Sequence, residues 1–401
     1  MPEAASDAAS LTTFKTSALW RLWPSGMRRR WWLFRLFDAL ARMIPLPGEK
    51  SGVLVVRMDG IGDMMLFRSA LDHYADAFGV APSDITVLGC ESWASIQDTV
   101  FMGYKVVTLN EHRFAKNPFY RFRTALKVRG LRAKIVVNDA YFRRALMADS
   151  LVWLSKADTA ISSLPYISER TKSEFTYYLS QVDQVIPTGD YPTHELHRHA
   201  RFLSVVSGKT IAPSVACLTA PDVAVPIETD PPFAILVPGC NEPGRRWPFA
   251  DYASLAKKLM ADGLRVVLAG RGSEVGPAQD RAALVDAGAI DLTDKTTLPQ
   301  LMALMARATL VVSNDTGPAH VSIALGAPTV VIVGGGHFGS FVPYPINSTP
   351  ETVRFVHHPM DCYHCFWRCH LRDDPANSFP CVSAVKVDTV WAACQGVMTA
   401  K

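Results

Sequence analysis

The chain reads as an α/β protein: two doubly wound, Rossmann-like domains in tandem, facing a cleft and preceded by a basic aromatic helix. Three observations predict this. Short continuous apolar runs mark strands covered on both faces. Helical stretches separate those runs, which is the βαβ pattern of a parallel sheet. The same alternation then restarts after a Pro-rich stretch at residues 219–232 (TAPDVAVPIETDPP), which reads as a linker.

Taken in order, residues 1–50 form a leader. Residues 1–13 are small and polar and are expected to be disordered. Residues 14–44 interleave Trp20, Trp23, Trp31, Trp32, Phe34 and Phe37 with arginines. Arg28, Arg35 and Arg42 recur every seven residues with Asp38 near the same line, so a helix here carries a narrow charged stripe and a broad apolar face. Such a helix can lie in a membrane interface, its rings at the acyl boundary and its arginines on anionic lipid. The plainer alternative packs it on the body with the arginines exposed. Leu46-Pro47-Gly48 ends the segment.

The first domain spans 51–218. Its strand-like runs are Val53 to Arg57, Ile85 to Leu88, Val106 to Leu109 and Ile135 to Val137, with a helical pattern from the MDGIGD loop to about Phe78. The second domain spans 233–384. Its strands are Ala234 to Val237, Arg265 to Ala269, Leu310 to Ser313 and Thr329 to Val333, with helices near 249–262, 277–287, 298–307 and 317–326. The periodic segment Val385 to Val397, within 385–401, is expected to be a helix crossing the domain junction.

Composition narrows the function classes. The formal net charge is +4, from 41 basic and 37 acidic residues. Residues 1–50 hold eight Lys or Arg against four acids, so the body is balanced at 33 of each. A neutral body argues against a nucleic-acid binder. No apolar run approaches the roughly 20 residues of a membrane span, and Arg28 to Ile44 is too interrupted by charge for a signal peptide. The expected location is cytoplasmic, where the eight cysteines are thiols or metal ligands rather than disulfides.

The chemistry is expected at the strand exits facing the cleft. Asp59-Gly60-Ile61-Gly62-Asp63 makes a tight first turn, but Met65 stands where a dinucleotide fingerprint needs its third glycine. The turn instead offers two carboxylates. Asp63 can take a proton from an acceptor hydroxyl, or simply cap the helix that follows. In the second domain, Arg245 and Arg246 precede a helix and can clamp a diphosphate, or form a solvated pair. Glu274, after Gly270 and Gly272, can hold ribose hydroxyls, or sit near a helix cap. Asn314, Asp315, Thr316 and Gly317 lie between a buried strand and a helix start, where phosphate is favoured by free N–H groups and the helix dipole. Asp315 either caps that helix or grips sugar hydroxyls. His320 either donates to phosphate or orients the Asp315 loop.

These blocks resemble glycosyltransferase family 9, the ADP-heptose:lipopolysaccharide heptosyltransferases and their relatives. The resemblance rests on VLVVRMDGIGDMMLFRSAL, RRWPFADYASLA, the block from Leu292 to Gly335 containing SNDTGPAH, and the cysteine cluster, over roughly residues 52 to 395. It implies a GT-B fold and inverting, metal-independent transfer of a sugar from a nucleotide diphosphate, such as ADP-heptose, to a lipid-linked glycan. By that resemblance Asp63 is the general base, Arg245 contacts phosphate, and Asp315, Thr316, Gly317 and His320 contact donor sugar and diphosphate. It also implies work peripheral to the inner membrane, and an acceptor there would give the interfacial reading of residues 14–44, made above from the residues themselves, a reason. Two features depart from the common pattern: the turn Gly334-Gly335-Gly336-His337-Phe338 after the last strand, and the leader itself.

Cys362, Cys365, Cys369 and Cys381 have a spacing able to hold a structural zinc, or to form a reduced structural loop without metal. No cofactor is required by the expected chemistry. Two other readings remain: a GT-B-like nucleotide-sugar epimerase, and a non-catalytic membrane-bound scaffold.

Overall fold

The computed structural model describes Phe14 and residues 16–399, and the segment 1–13 lies outside the described residues. The first sheet contains β1 (Ser51–Arg57), β2 (Ile85–Cys90), β3 (Lys105–Leu109), β4 (Ala133–Asn138), β5 (Thr159–Ser163) and β6 (Gln184–Ile186), in the order β3-β2-β1-β4-β5-β6. The second contains β7 (Phe233–Val237), β8 (Arg265–Leu268), β9 (Ile290–Asp291), β10 (Leu310–Asn314), β11 (Thr329–Val333) and β12 (Val353–His357), in the order β12-β11-β10-β7-β8-β9. All pairs are parallel; Val55, for example, lies opposite Val87 on one side and Val137 on the other. Each domain thus repeats one doubly wound order. Strand order reverses between β1 and β4, and between β7 and β10, which is where such sheets open a crevice for ligands.

The helices used below are α1 (Ala18–Leu22), α2 (Arg29–Met43), α3 (Ile61–Leu71), α4 (Pro118–Gly130), α5 (Ser150–Ser155), α6 (Lys172–Leu179), α7 (Glu195–Ser207), α8 (Phe249–Ala261), α9 (Leu298–Arg307), α10 (Gly317–Ala324) and α11 (Val387–Met398). One apolar cluster runs through both lobes: Val55 and Met64 pack into the same core as Phe233, Met302 and Val321. The lobes meet where α3 packs against α10. That approach needs glycine on both sides. A Cβ on Gly62 would lie 2.9 Å from His320 Cδ2, and a Cβ on Gly317 would collide with Ile61.

The leader helix is docked on the first domain, as the plainer alternative has it, but its heptad arginines find protein partners. Trp31, Phe34, Asp38 and Ala41 are buried, and α2 packs on α4 and α5. The charged stripe faces the protein. Asp38 receives Arg121 through two 2.7 Å hydrogen bonds with both side chains buried. Arg28 meets Glu174 in a bidentate pair at 2.6 and 2.5 Å. Arg35 lies 5.2 Å from the Trp31 ring centroid, and Arg42 lies 4.6 Å from that of Trp153. Breaking a buried pair such as Asp38–Arg121 costs about 3–5 kcal/mol, so the helix is tied to the domain. What it shows to solvent is Leu33, Leu36, Leu40 and Met43, at 51%, 60%, 43% and 69% exposure. Of the expected rings, Trp31 and Phe34 are buried and Trp23 is exposed, so the open apolar face is mainly aliphatic.

The last helix also differs from expectation. α11 packs on α8 and along β10, β11 and β12, with Val390, Cys394 and Val397 in the second domain's own core. Its apolar positions pack on that sheet face, so it closes its own domain instead of crossing the junction.

Candidate active site

The exits of β1 and β4 assemble a buried charge network. Arg57 ends β1 inside the domain, 2.6 Å from Asp139 and 2.9 Å from Asp59. His199 of α7 shares a 2.8 Å hydrogen bond with the other oxygen of Asp139, while its Nε2 is buried without a partner. Burial opposes the charge of Asp139, yet Arg57 and His199 together hold its carboxyl well below the usual range. Asp59 is pushed the other way, by burial above all.

Asp63 sits in the first turn of α3, with the Gly60 N–H turned to its carboxylate. Its carboxylate stays close to Gly60, the N-cap residue, without making a cap hydrogen bond. It keeps some accessible surface but lies in the seam between the lobes. Burial, then the negative charge of Asp59, pushes it up to about 7, and Asp315 across the seam adds in the same direction. A carboxyl poised there suits a general base near neutral pH. Glu195, at the start of α7, is buried beside Arg198 at 3.2 Å and pushed up to about 8 by burial.

The second lobe supplies the facing wall. β10 ends at Asn314, and Asp315, Thr316 and the start of α10 follow, Thr316 being the N-cap residue. Asp315 is therefore not the cap. Arg245 instead donates to its carboxylate at 3.1 Å and to its backbone carbonyl at 2.5 Å. The same guanidinium stacks 4.4 Å from the Trp367 ring centroid. His320 is buried and shares a 2.7 Å hydrogen bond with Tyr344; burial pushes it down to about 4, so it is neutral at pH 7. Its other edge faces Gly62 across the seam. Glu274 lies against the Gly239 loop, where its backbone carbonyl accepts from the Cys240 N–H at 3.0 Å. That puts its side chain at the exits of β7 and β8, the ribose side of such a crevice.

The structure thus brings together Asp63, Arg245, Asp315, Thr316, Gly317 and His320, with Glu274 beside them. Two expected donor contacts do other work. Asn314 is fully buried: its Oδ1 accepts from the Trp247 N–H and the Tyr252 hydroxyl, both at 3.1 Å, and its Nδ2 donates to Pro238 at 2.6 Å. Its acceptor oxygen is fully used and the side chain is out of reach of a ligand. Arg246 turns to the Cys240 carbonyl at 3.0 and 2.8 Å, so the two neighbouring guanidiniums do not form a single clamp.

Sequence reasoning missed Arg57, Asp139, His199, Glu195, Tyr344 and Trp367. The first two had a signal: each sits at or just past the end of an apolar strand, as Asp59 does. The Gly334–Gly336 departure also acquires a cause. A Cβ on Gly335 would strike Tyr363, and one on Gly336 would strike Trp367. His364, Phe366 and Trp367 all have positive φ, at 70°, 53° and 60°, so this turn bends the cysteine loop tightly over the glycines and sets Trp367 on Arg245. Phe366 continues into the first domain, stacking 4.6 Å from Tyr191.

Cys362, Cys365, Cys369 and Cys381 line one small cavity with Trp367 and Phe379. They are free thiols. Among the described residues, no three His, Cys, Asp or Glu side chains are arranged to hold a metal ion, so the cluster as it stands does not fit a zinc site.

Comparison with known proteins bears on the second-lobe part of this site. Residues 207–367 match the profile of glycosyltransferase family 9 (heptosyltransferase). Lipopolysaccharide heptosyltransferase 2 of Escherichia coli (strain K12) is 30% identical over 135 residues, covering 32% of this chain and 38% of that protein. The chain therefore matches well under half the length of that relative. Among solved structures, a family 9 glycosyl transferase from Veillonella parvula DSM 2008 superposes with a TM-score of 0.68 at 16% identity, covering 89% of this chain and all of that one. The E. coli ADP-heptose lps heptosyltransferase II gives 0.61 at 17% identity, covering 87% and 99%. These likenesses establish the two-domain GT-B fold.

Proposed function

We infer that this chain, whose residues 207–367 carry the glycosyltransferase family 9 signature, transfers a heptose-type sugar from ADP to a lipid-linked glycan of lipopolysaccharide, with inversion. The observation that carries this is the shared seam: a carboxyl pushed up to about 7 on one lobe faces an arginine–aspartate pair at a helix start on the other.

In this reading the donor lies along the exits of β7, β8 and β10. Glu274 takes its ribose, Arg245 and the first-turn N–H groups of α10 take its diphosphate, and Asp315 takes the sugar hydroxyls. The acceptor hydroxyl gives its proton to Asp63 as its oxygen bonds to the anomeric carbon. The bond from that carbon to the phosphate oxygen breaks, and the nucleoside diphosphate leaves with the electron pair. Positive charge that a divalent cation could otherwise bring is supplied by Arg245 and the helix dipole. The Arg245–Asp315 contact and the close approach of Gly62 to Gly317 must loosen to admit the donor, and reclosure excludes water. The cysteine loop acts structurally, as a reduced brace that holds Trp367 on Arg245.

Among the described residues no helix is long and apolar enough to cross a membrane. The leucine face of α2, with Leu19, Leu22 and Trp23 also exposed, supports seating on the cytoplasmic leaflet, where the lipid-linked acceptor is found.

Thermal denaturation of the full chain with ADP-, GDP- and UDP-sugars tests the donor. ADP-heptose at 100 times its dissociation constant should stabilise the fold by about 2.7 kcal/mol, and no product should form until a lipid-linked acceptor is added. Turnover of the donor alone would favour an epimerase instead, and no stabilisation by any nucleotide sugar would remove the donor site.

A further inference from the structure

A cavity of ≈ 540 Å³ lies between the leader helix and the first domain, lined by Arg28, Arg30, Arg143, Arg144 and Arg170 over an apolar floor that includes Phe34. Two of the five arginines are neutralised: Arg28 by Glu174, and Arg143 by Asp149 at 2.9 Å. Arg30, Arg144 and Arg170 are exposed and have no carboxylate within ion-pair distance among the described residues. Three uncompensated guanidiniums converging on one hollow repel each other unless an anion joins them. Guanidinium forks suit phosphate oxygens, and the apolar floor suits the methylene groups next to a lipid phosphate.

The position of the cavity is informative. Arg143 and Arg144 belong to the loop leaving β4, the strand exit that also carries Asp139. Arg28 and Arg30 flank the start of α2, the helix that turns Leu33, Leu36 and Leu40 to solvent. The hollow therefore adjoins the apolar leader face on one side and the acceptor lobe's strand exits on the other.

We propose that this arginine-lined cavity binds the phosphate group of a membrane lipid, holding the lipid-borne acceptor's anionic head between the leader helix and the catalytic lobe. The identity of that lipid as acceptor rests on the transferase reading above; the phosphate site does not.

Co-sedimentation of the full chain with vesicles tests it without any sugar transfer. Three compositions serve: phosphatidylcholine alone, phosphatidylcholine with phosphatidylglycerol, and phosphatidylcholine with the phosphorylated glycolipid lipid A at matched charge. The variant Arg30→Gln/Arg144→Gln/Arg170→Gln removes only exposed, unpaired groups, and unchanged circular dichroism and melting temperature check its fold. At about 1 kcal/mol per arginine near an anionic surface, roughly fivefold in binding each, the variant should lose about a hundredfold on both anionic compositions and nothing on phosphatidylcholine. A larger wild-type preference for lipid A identifies the acceptor as the source of the phosphate; equal binding to phosphatidylglycerol identifies bulk phospholipid. As a control, Leu36→Ser/Leu40→Ser should weaken binding to all three. Undiminished binding of the arginine variant to both anionic vesicles, or an equal loss on phosphatidylcholine, would overturn the proposal.

Discussion

Replacing Asp63 by Asn should lower kcat by about 10²–10⁴-fold while donor affinity stays near that of the parent enzyme. The amide keeps the shape of the side chain in the first turn of α3 but cannot accept a proton. The pH profile gives a second readout. Burial and the Asp59 charge push the Asp63 carboxyl up to about 7, and a base works only when deprotonated. Activity at low substrate should therefore rise as pH passes through about 7 and level off above it, and the variant should lose that limb. Stability runs the opposite way. A carboxyl raised above its unfolded value favours the fold while it is protonated, a contribution fully present below the ordinary carboxylate range and lost as pH rises through about 7. The closed seam is thus weakest where the base is most active, and bound donor and acceptor must offset the difference. Transfer at the parent rate in the Asp63 variant, with an unchanged profile, would place the base elsewhere.

Arg245→Ala should cost about 10²–10³-fold in kcat, as removal of one charge-stabilising donor does elsewhere, and should raise KM for the donor. The guanidinium holds Asp315 and lies against Trp367, so its loss removes the diphosphate contact and frees the aspartate that meets the sugar. Lysine should rescue only part, because an ammonium cannot reproduce the planar fork stacked on an indole. The neighbouring Arg246→Ala should behave differently: its guanidinium serves the Cys240 carbonyl, so the effect should fall on melting temperature, with kcat for the folded fraction nearly unchanged. Equal kinetic losses at both positions would return them to a common clamp.

These assignments show what the sequence could carry. Strands such as Thr329–Val333 were legible because every residue is buried and apolar or β-branched. Thr159–Ser163 (TAISS) was not, since its buried serines look like a loop, and Ile290–Asp291 is too short to signal at all. The leader helix was legible as amphipathic, but periodicity does not say which face is inside. That was decided by partners far along the chain, Arg121 and Glu174, which receive Asp38 and Arg28. The same limit explains Asn314. Beside Asp315 it resembled a ligand contact, yet Trp247 and Tyr252, 67 and 62 residues away, consume it. The Arg57–Asp139–His199 network is assembled by parallel topology from hydrogen-bonded partners 82 and 60 residues apart, and no local spacing announces it.

The most direct measurement is a crystal structure of the full chain with a non-reactive ADP-heptose analogue. The diphosphate should lie between Arg245 and the first turn of α10, the sugar against Asp315, and the anomeric carbon should face Asp63 with room for one hydroxyl between them. An analogue whose diphosphate sits in the arginine cavity, or whose anomeric carbon is turned away from Asp63 beyond reach of a shared hydroxyl, would contradict the transfer reaction described here.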